Sequence, residues 1–145
     1  MRATWAVTCR YAESDGNVGT IIGAGIDVLY VPDFPHQVGL MLAVRLAATL
    51  EEVAEGQQHE LIARVLAPNG GLVRAPDGSE APPLGVTFQA TAAQQLVPGW
   101  LVTPLFALGL QWWAAEEGTY TIEVSAADAE PSSSPVHVLK APASP

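Results

Sequence analysis

Residues 38–46 read Val38-Gly39-Leu40-Met41-Leu42-Ala43-Val44-Arg45-Leu46. Large apolar side chains recur at every second position from Val38 to Leu46, and a period of two marks a strand with one buried face. Met41, Ala43, Arg45 and Ala47 fall on the other face. The same period appears near both ends of the chain. Trp5, Val7, Cys9 and Tyr11 alternate with Thr4, Ala6, Thr8 and Arg10, which places Cys9 in the expected core. Tyr120, Ile122 and Val124 alternate with Thr119, Thr121, Glu123 and Ser125, a strand opened by Gly118.

Between these segments the turn formers punctuate the chain at short intervals, with Gly 13 and Pro 12 in all. A strand over residues 20–31 carries Ile22, Ile26, Val28 and Tyr30 on one face. Gly23 and Gly25 lie on the other, where a bulge or a close backbone contact fits. Pro32-Asp33-Phe34-Pro35 forces a turn or crossover. Residues 51–56 form an acidic connection with one helical turn. Residues 59–66 hairpin toward 72–74 through Pro68-Asn69-Gly70-Gly71, where Asn and Gly accept positive φ. An exposed loop over 76–83 precedes a strand with Val86, Phe88 and Ala90, and the Pro98-Gly99 turn precedes a strand over 101–113. A Ser132-Ser133-Ser134-Pro135 tip leads to a last strand over 136–139. The pattern contains no amphipathic helix of ten residues. It predicts an all-β, single-domain antiparallel β-sandwich of about eight strands, Ig-like or jelly-roll-like, over residues 1–140, with 141–145 as a tail.

The chain has 145 residues with Lys+Arg 6 against Asp+Glu 15, a net charge of −9, and it is 49% hydrophobic and 14% charged. That composition supplies a core and excludes a disordered chain. Six scattered basic residues cannot form the positive stripe that phosphates demand, so neither nucleic acid nor an anionic membrane is an expected partner. A single cysteine makes no internal disulfide, and Met1-Arg2-Ala3-Thr4-Trp5 opens no secretory apolar stretch. The apolar-rich stretches 38–50 and 101–115 fall short of the roughly 20 residues of a bilayer-spanning helix. The expected location is cytoplasmic.

The run Asn17-Val18-Gly19-Thr20-Ile21-Ile22-Gly23-Ala24-Gly25-Ile26, then Phe34-Pro35, the long alternating strand ending near Leu46, Glu55-Gly56, His59-Glu60-Leu61 and Gly118-Thr119-Tyr120-Thr121-Ile122-Glu123-Val124 come in a familiar order. This ordered set resembles an uncharacterised family of small bacterial proteins. The resemblance implies a β-sandwich and carries no catalytic residue across.

Motifs for chemistry are incomplete. His59-Glu60 lacks the second histidine of a zinc-protease helix, because position 63 is Ala63. His36 and His137 lie far from it in sequence. Gly23-Ala24-Gly25 lacks the third glycine of a dinucleotide loop, Val28 standing there, and the single lysine, Lys140, rules out a Walker sequence. Cys9 is expected to be buried rather than activated, and no nucleophile elbow is present. Asp15, Asp27, Asp33, Asp128 and Glu130 lack the dense spacing of a calcium loop and read as solvated turn residues. No cofactor, no metal and no enzymatic activity are expected.

Trp112-Trp113 is the most informative local feature, because adjacent strand residues face opposite sides. Phe106, Leu108 and Leu110 share the face of Trp112, while Leu101, Leu105 and Ala107 share that of Trp113. A strand apolar on both sides marks either a contact surface or a face covered by a loop of the same chain, such as 76–84 or 96–100. The leading expectation is a binding or assembly module that meets a protein partner, or itself, through an apolar outer sheet face carrying Trp113, Met41, Leu105 and Trp100. The alternatives are a small-ligand or carbohydrate-binding domain stacking sugars on Trp100 and Trp113, or a hydrolase gathering Asp27, Asp33, His36 and Asp128 in one pocket.

Overall fold

The computed structural model describes residues 1–15, 18–53, 57–89, 101–126 and 129–143. Among the described residues the chain forms ten strands and one short helix: β1 (Arg2–Cys9), β2 (Tyr11–Asp15), β3 (Val18–Ile22), β4 (Val28–Val31), β5 (His36–Ala47), α1 (Leu50–Val53), β6 (Gln58–Leu66), β7 (Leu84–Gln89), β8 (Leu105–Ala114), β9 (Gly118–Ala126) and β10 (Ser132–Lys140). They build three sheets, ordered β1-β5-β8, β4-β10-β9-β6-β7 and β2-β3. The all-β expectation holds, with more strands than the sequence pattern predicts. No helix among the described residues is long and apolar enough to cross a membrane.

The main core follows from the period of two. Val38, Leu40, Leu42, Val44 and Leu46 of β5 join Leu108, Leu110 and Trp112 of β8. Facing them are Leu61, Ala63 and Val65 of β6, Tyr120, Ile122 and Val124 of β9, and Val136 and Val138 of β10. Leu42, Leu46, Leu61 and Ile122 are fully enclosed. Each such side chain contributes about 1.5–3 kcal/mol by leaving water, which is why the two longest alternations in the sequence lie at the centre.

Three expectations are corrected. On β1, Trp5, Val7 and Cys9 pair with Arg45, Ala43 and Met41 on the outward face of the three-stranded sheet, and a register shift between Ala3 and Trp5 resets the alternation. The inward positions are Ala6 and Thr8, whose small side chains suit the edge of the sheet where β9 and β10 approach. Cys9 is still fully buried, in a second cluster with Ala12 and Ala43. The expected strand over 20–31 is two strands in different sheets. Gly23 at φ 63° and Gly25 at φ 81° adopt the left-handed backbone that glycine tolerates, and the chain leaves β3 there to enter β4. Finally, β4 runs parallel to β10, so the arrangement is mixed rather than purely antiparallel. The first residue of the expected tail extends this pairing, Ala141 N–H donating to Val31 O at 2.7 Å.

Turn chemistry fixes the ends of strands as the residues imply. Gly70, at φ 83°, donates to Ala67 O, and Asn69 Oδ1 accepts from Gly71 N–H at 2.9 Å. Val73 N–H then donates to Val65 O, closing the 59–66 to 72–74 reversal. At α1, Thr49 Oγ1 accepts from Glu52 N–H while Glu52 Oε2 accepts from Thr49 N–H, a reciprocal cap for a helix of one turn. Between β8 and β9, the Tyr120 hydroxyl donates to Glu116 O at 3.0 Å and accepts from Glu116 N–H at 3.4 Å. Burial raises the pKa of this phenol. Tyr120→Phe is expected to cost about 1 kcal/mol, the net value of an intramolecular hydrogen bond, read as a lower denaturant midpoint at unchanged slope.

Candidate functional site

Strand β8 combines both halves of the Trp112-Trp113 argument. Trp112 turns inward and is buried, its ring 6.2 Å from that of Tyr120, whereas Trp113 turns outward and is half-buried. Of the two expected covering loops, 96–100 lies outside the described residues, and the described cover of the outward face comes from elsewhere in the chain. The β2-β3 hairpin lies over it, with Ala12 and Ile21 packed against Met41, Ala43 and Ala107. Small residues permit this approach, and Gly19 sits so close to Leu105 that a methyl group there would overlap its Cδ2.

The other side of β8 is an open edge, and the hydrogen-bond alternation shows which residues present it. Val102 and Ala48 exchange both backbone hydrogen bonds at 2.9 Å, and Leu46 N–H donates to Pro104 O at 3.0 Å. The register continues unshifted from Arg45 opposite Leu105 to His36 opposite Ala114. Even-numbered residues of β8 therefore bond to β5. Leu105, Ala107, Gly109, Gln111 and Trp113 turn their N–H and C=O groups outward. Among the described residues no strand or loop pairs with that edge.

A cleft of about 710 Å³ runs beside this edge, walled by Gly109, Leu110, Gln111 and Trp112 on one side and by Ala81, Pro82, Pro83 and Leu84 on the other. Val65 and Val73 form part of its lining, and the guanidinium-bearing Arg10 and Arg64 border it. Arg64 is paired with Glu123 at 2.6 Å. The indole Nε1 of Trp112 is buried without a hydrogen-bond partner among the described residues.

The expected contact residues do not form one patch. Met41 packs beneath the hairpin, and Leu105 meets Gly19 of β3. Trp113 lies eight residues further along β8, roughly 27 Å away at the rise of an extended strand. It borders a smaller hollow of about 260 Å³ with Pro68, Leu72 and the Arg74–Glu80 ion pair. Trp100 lies outside the described residues. Sequence reasoning missed Gly109 and Gln111, whose side chains carry little signal because their backbone is what they offer. It also missed Tyr11 and Ile22, paired across the hairpin and both exposed.

The residues considered for chemistry are dispersed. Asp33 Oδ1 and His36 Nδ1 are 3.8 Å apart on the surface, and among the described residues no group of three His, Cys, Asp or Glu side chains is placed to hold a metal. Asp27 accepts a bond from His137 N–H through its backbone carbonyl, and Asp128 lies outside the described residues. His59 bonds to Glu52 O at 3.0 Å and stacks near Phe88; His137 meets Thr119 Oγ1 at 2.9 Å. The Cys9 thiol lies 3.5 Å from Met41 O, and desolvation raises its pKa, opposing thiolate formation.

The fold and this strand define a class: an all-β protein of three sheets, the two larger of which build one main core, with a long edge at β8 left unpaired among the described residues. The chain belongs to the family of unknown function DUF6941, whose sequence pattern matches residues 4–139. No curated protein and no solved structure matches it.

Proposed function

We propose that the chain is a non-enzymatic binding or assembly module, a two-layer β-sandwich with a covering hairpin, that contacts a protein through β8. The observation that carries this reading is the open ten-residue edge of an uncharged strand, LFALGLQWWA, in a chain of net charge −9. Unpaired backbone donors and acceptors beside apolar side chains are a template for another chain. Trp113, half-buried at the end of this strand, serves as its aromatic anchor. Trp113→Ala is expected to weaken association by about 2 kcal/mol, roughly thirtyfold in Kd. Titration of labelled protein against its binding partner checks this, and unchanged affinity of a folded variant overturns the role of Trp113.

A second reading rests on the buried indole Nε1 of Trp112 at the cleft, which has no partner among the described residues. A small ligand with an apolar body and an acceptor atom suits that lining, and an anionic group would suit Arg10 at its border. Under this reading Trp112→Phe abolishes ligand binding while leaving protein association intact, a separation that calorimetry measures.

A further inference from the structure

We propose that the open edge of β8 is occupied by β8 of a second copy of this chain, antiparallel about a two-fold axis through Gly109, so that two three-stranded sheets become one of six. The inference rests on the assembly reading above and names its partner.

Among the described residues the two larger sheets have four edges, and three of these are blunted. β1 carries a register shift between Ala3 and Trp5, and Gly25 and Ile26 both donate to Thr8 O alongside it. β4 has only four residues and runs into Pro32. β7 is six residues long and directly follows Pro82-Pro83. Short length, irregular register and proline are devices that keep sheet edges from pairing. β8 has ten residues in unbroken register, with no proline and no charge.

The backbone constrains the register. The outward-facing groups belong to odd-numbered residues, so antiparallel pairing sets odd residues opposite odd residues, and a two-fold through Gly109 does this while overlapping residues 105–113 of the strand. It sets Gly109 opposite Gly109, Ala107 opposite Gln111 and Leu105 opposite Trp113 on the outer face. On the inner face it sets Leu108 opposite Leu110 and Phe106 opposite Trp112. Apart from the Ala107–Gln111 contacts and the glycine pair, every opposed pair is apolar, and no pair sets like charges together. An isologous contact of this kind closes on itself as a dimer. The partner is acidic overall, so an edge free of carboxylates is where two such chains approach with least repulsion.

Position 109 also supplies the test. Among the described residues a Cβ there meets only Met41 Sδ, at 3.7 Å, so the monomer accepts a side chain. Sedimentation and light scattering of the full chain are expected to give twice its 15.2 kDa mass. Gly109→Lys sets two ammonium groups opposite each other and is expected to give a monomer that still melts cooperatively, without the concentration dependence of the wild-type dimer. Gly109→Glu is likewise expected to be monomeric, and mixing the two variants is expected to restore a dimer containing one of each. In the wild-type dimer the amide protons of Leu105, Ala107, Gly109, Gln111 and Trp113 exchange slowly, and in the Lys variant that protection is lost. A wild-type monomer, or a dimer indifferent to both substitutions, overturns the proposal. A wild-type monomer that still binds a different protein in a Trp113-dependent way overturns the self-pairing and keeps the assembly reading; absence of both overturns the two together.

Discussion

Trp112→Ala is expected to destabilise the protein by about 3–5 kcal/mol, the range for removing a large aromatic side chain from a packed interior. Trp112 is among the largest fully buried side chains. It stands opposite Val38 in the β5–β8 register and against the ring of Tyr120. The cavity cannot collapse easily, because β5 and β9 are each held by strands on both sides. Chemical denaturation is expected to show a lower midpoint at unchanged slope, and melting a drop of roughly 6–20 °C for a chain of this size. Trp112→Phe makes the expectation sharper. It also removes volume, but it deletes a buried N–H that has no partner among the described residues. Leaving such a donor unsatisfied costs about 1–3 kcal/mol, so its removal offsets much of the lost packing. A phenylalanine variant as unstable as the alanine variant would show that the indole N–H is satisfied in solution.

Gly19→Val is expected to lift the β2-β3 hairpin from the outer face of β5 and β8. A Cβ at position 19 would overlap Leu105 Cδ2 and the Glu13 carbonyl oxygen, and the latter is backbone that cannot swing aside. Overpacking of this kind costs about 3 kcal/mol. Since the main core lies on the other side of the sheet, the cost falls on the hairpin. Cys9 reports it directly, being fully buried in the cluster that the hairpin closes. About 3 kcal/mol off the opening free energy raises native-state alkylation of Cys9 on the order of a hundredfold. Circular dichroism is expected to keep the strand signal of the two larger sheets. Unchanged Cys9 reactivity in a folded Gly19→Val protein would mean that the hairpin does not guard this face.

The strands that face the main core were readable because burial on one face imposes a period of two over eight residues or more. Residues 38–46 and 119–126 behave in this way, and the inward set Val38, Leu40, Leu42, Val44, Leu46, Tyr120, Ile122 and Val124 is the observed core. The reversal at Pro68-Asn69-Gly70-Gly71 was equally local, since it rests on backbone conformations that those residues prefer. The failures share a cause as well. In β1 the alternation is present, but which face turns inward depends on the register with β5 and on the shift at Ala3, and neither is written locally. Residues 20–31 look continuous because left-handed glycines are compatible with a bulge and with a crossing between sheets.

The candidate site divides along the same line. That Trp112 and Trp113 face opposite sides, and that β8 is apolar on both, follows from the amino-acid order alone. So do the acidic balance and the lack of a basic stripe. Only the tertiary structure decided that the hairpin covers Met41 and Leu105, that Trp113 stands apart near the 67–74 turn, and that β8 is an edge strand. Side-chain periodicity records which face of a strand leaves water, because burial selects the side chain. It does not record which edge is paired, because every residue other than proline offers the same backbone N–H and C=O to whichever neighbour the fold brings.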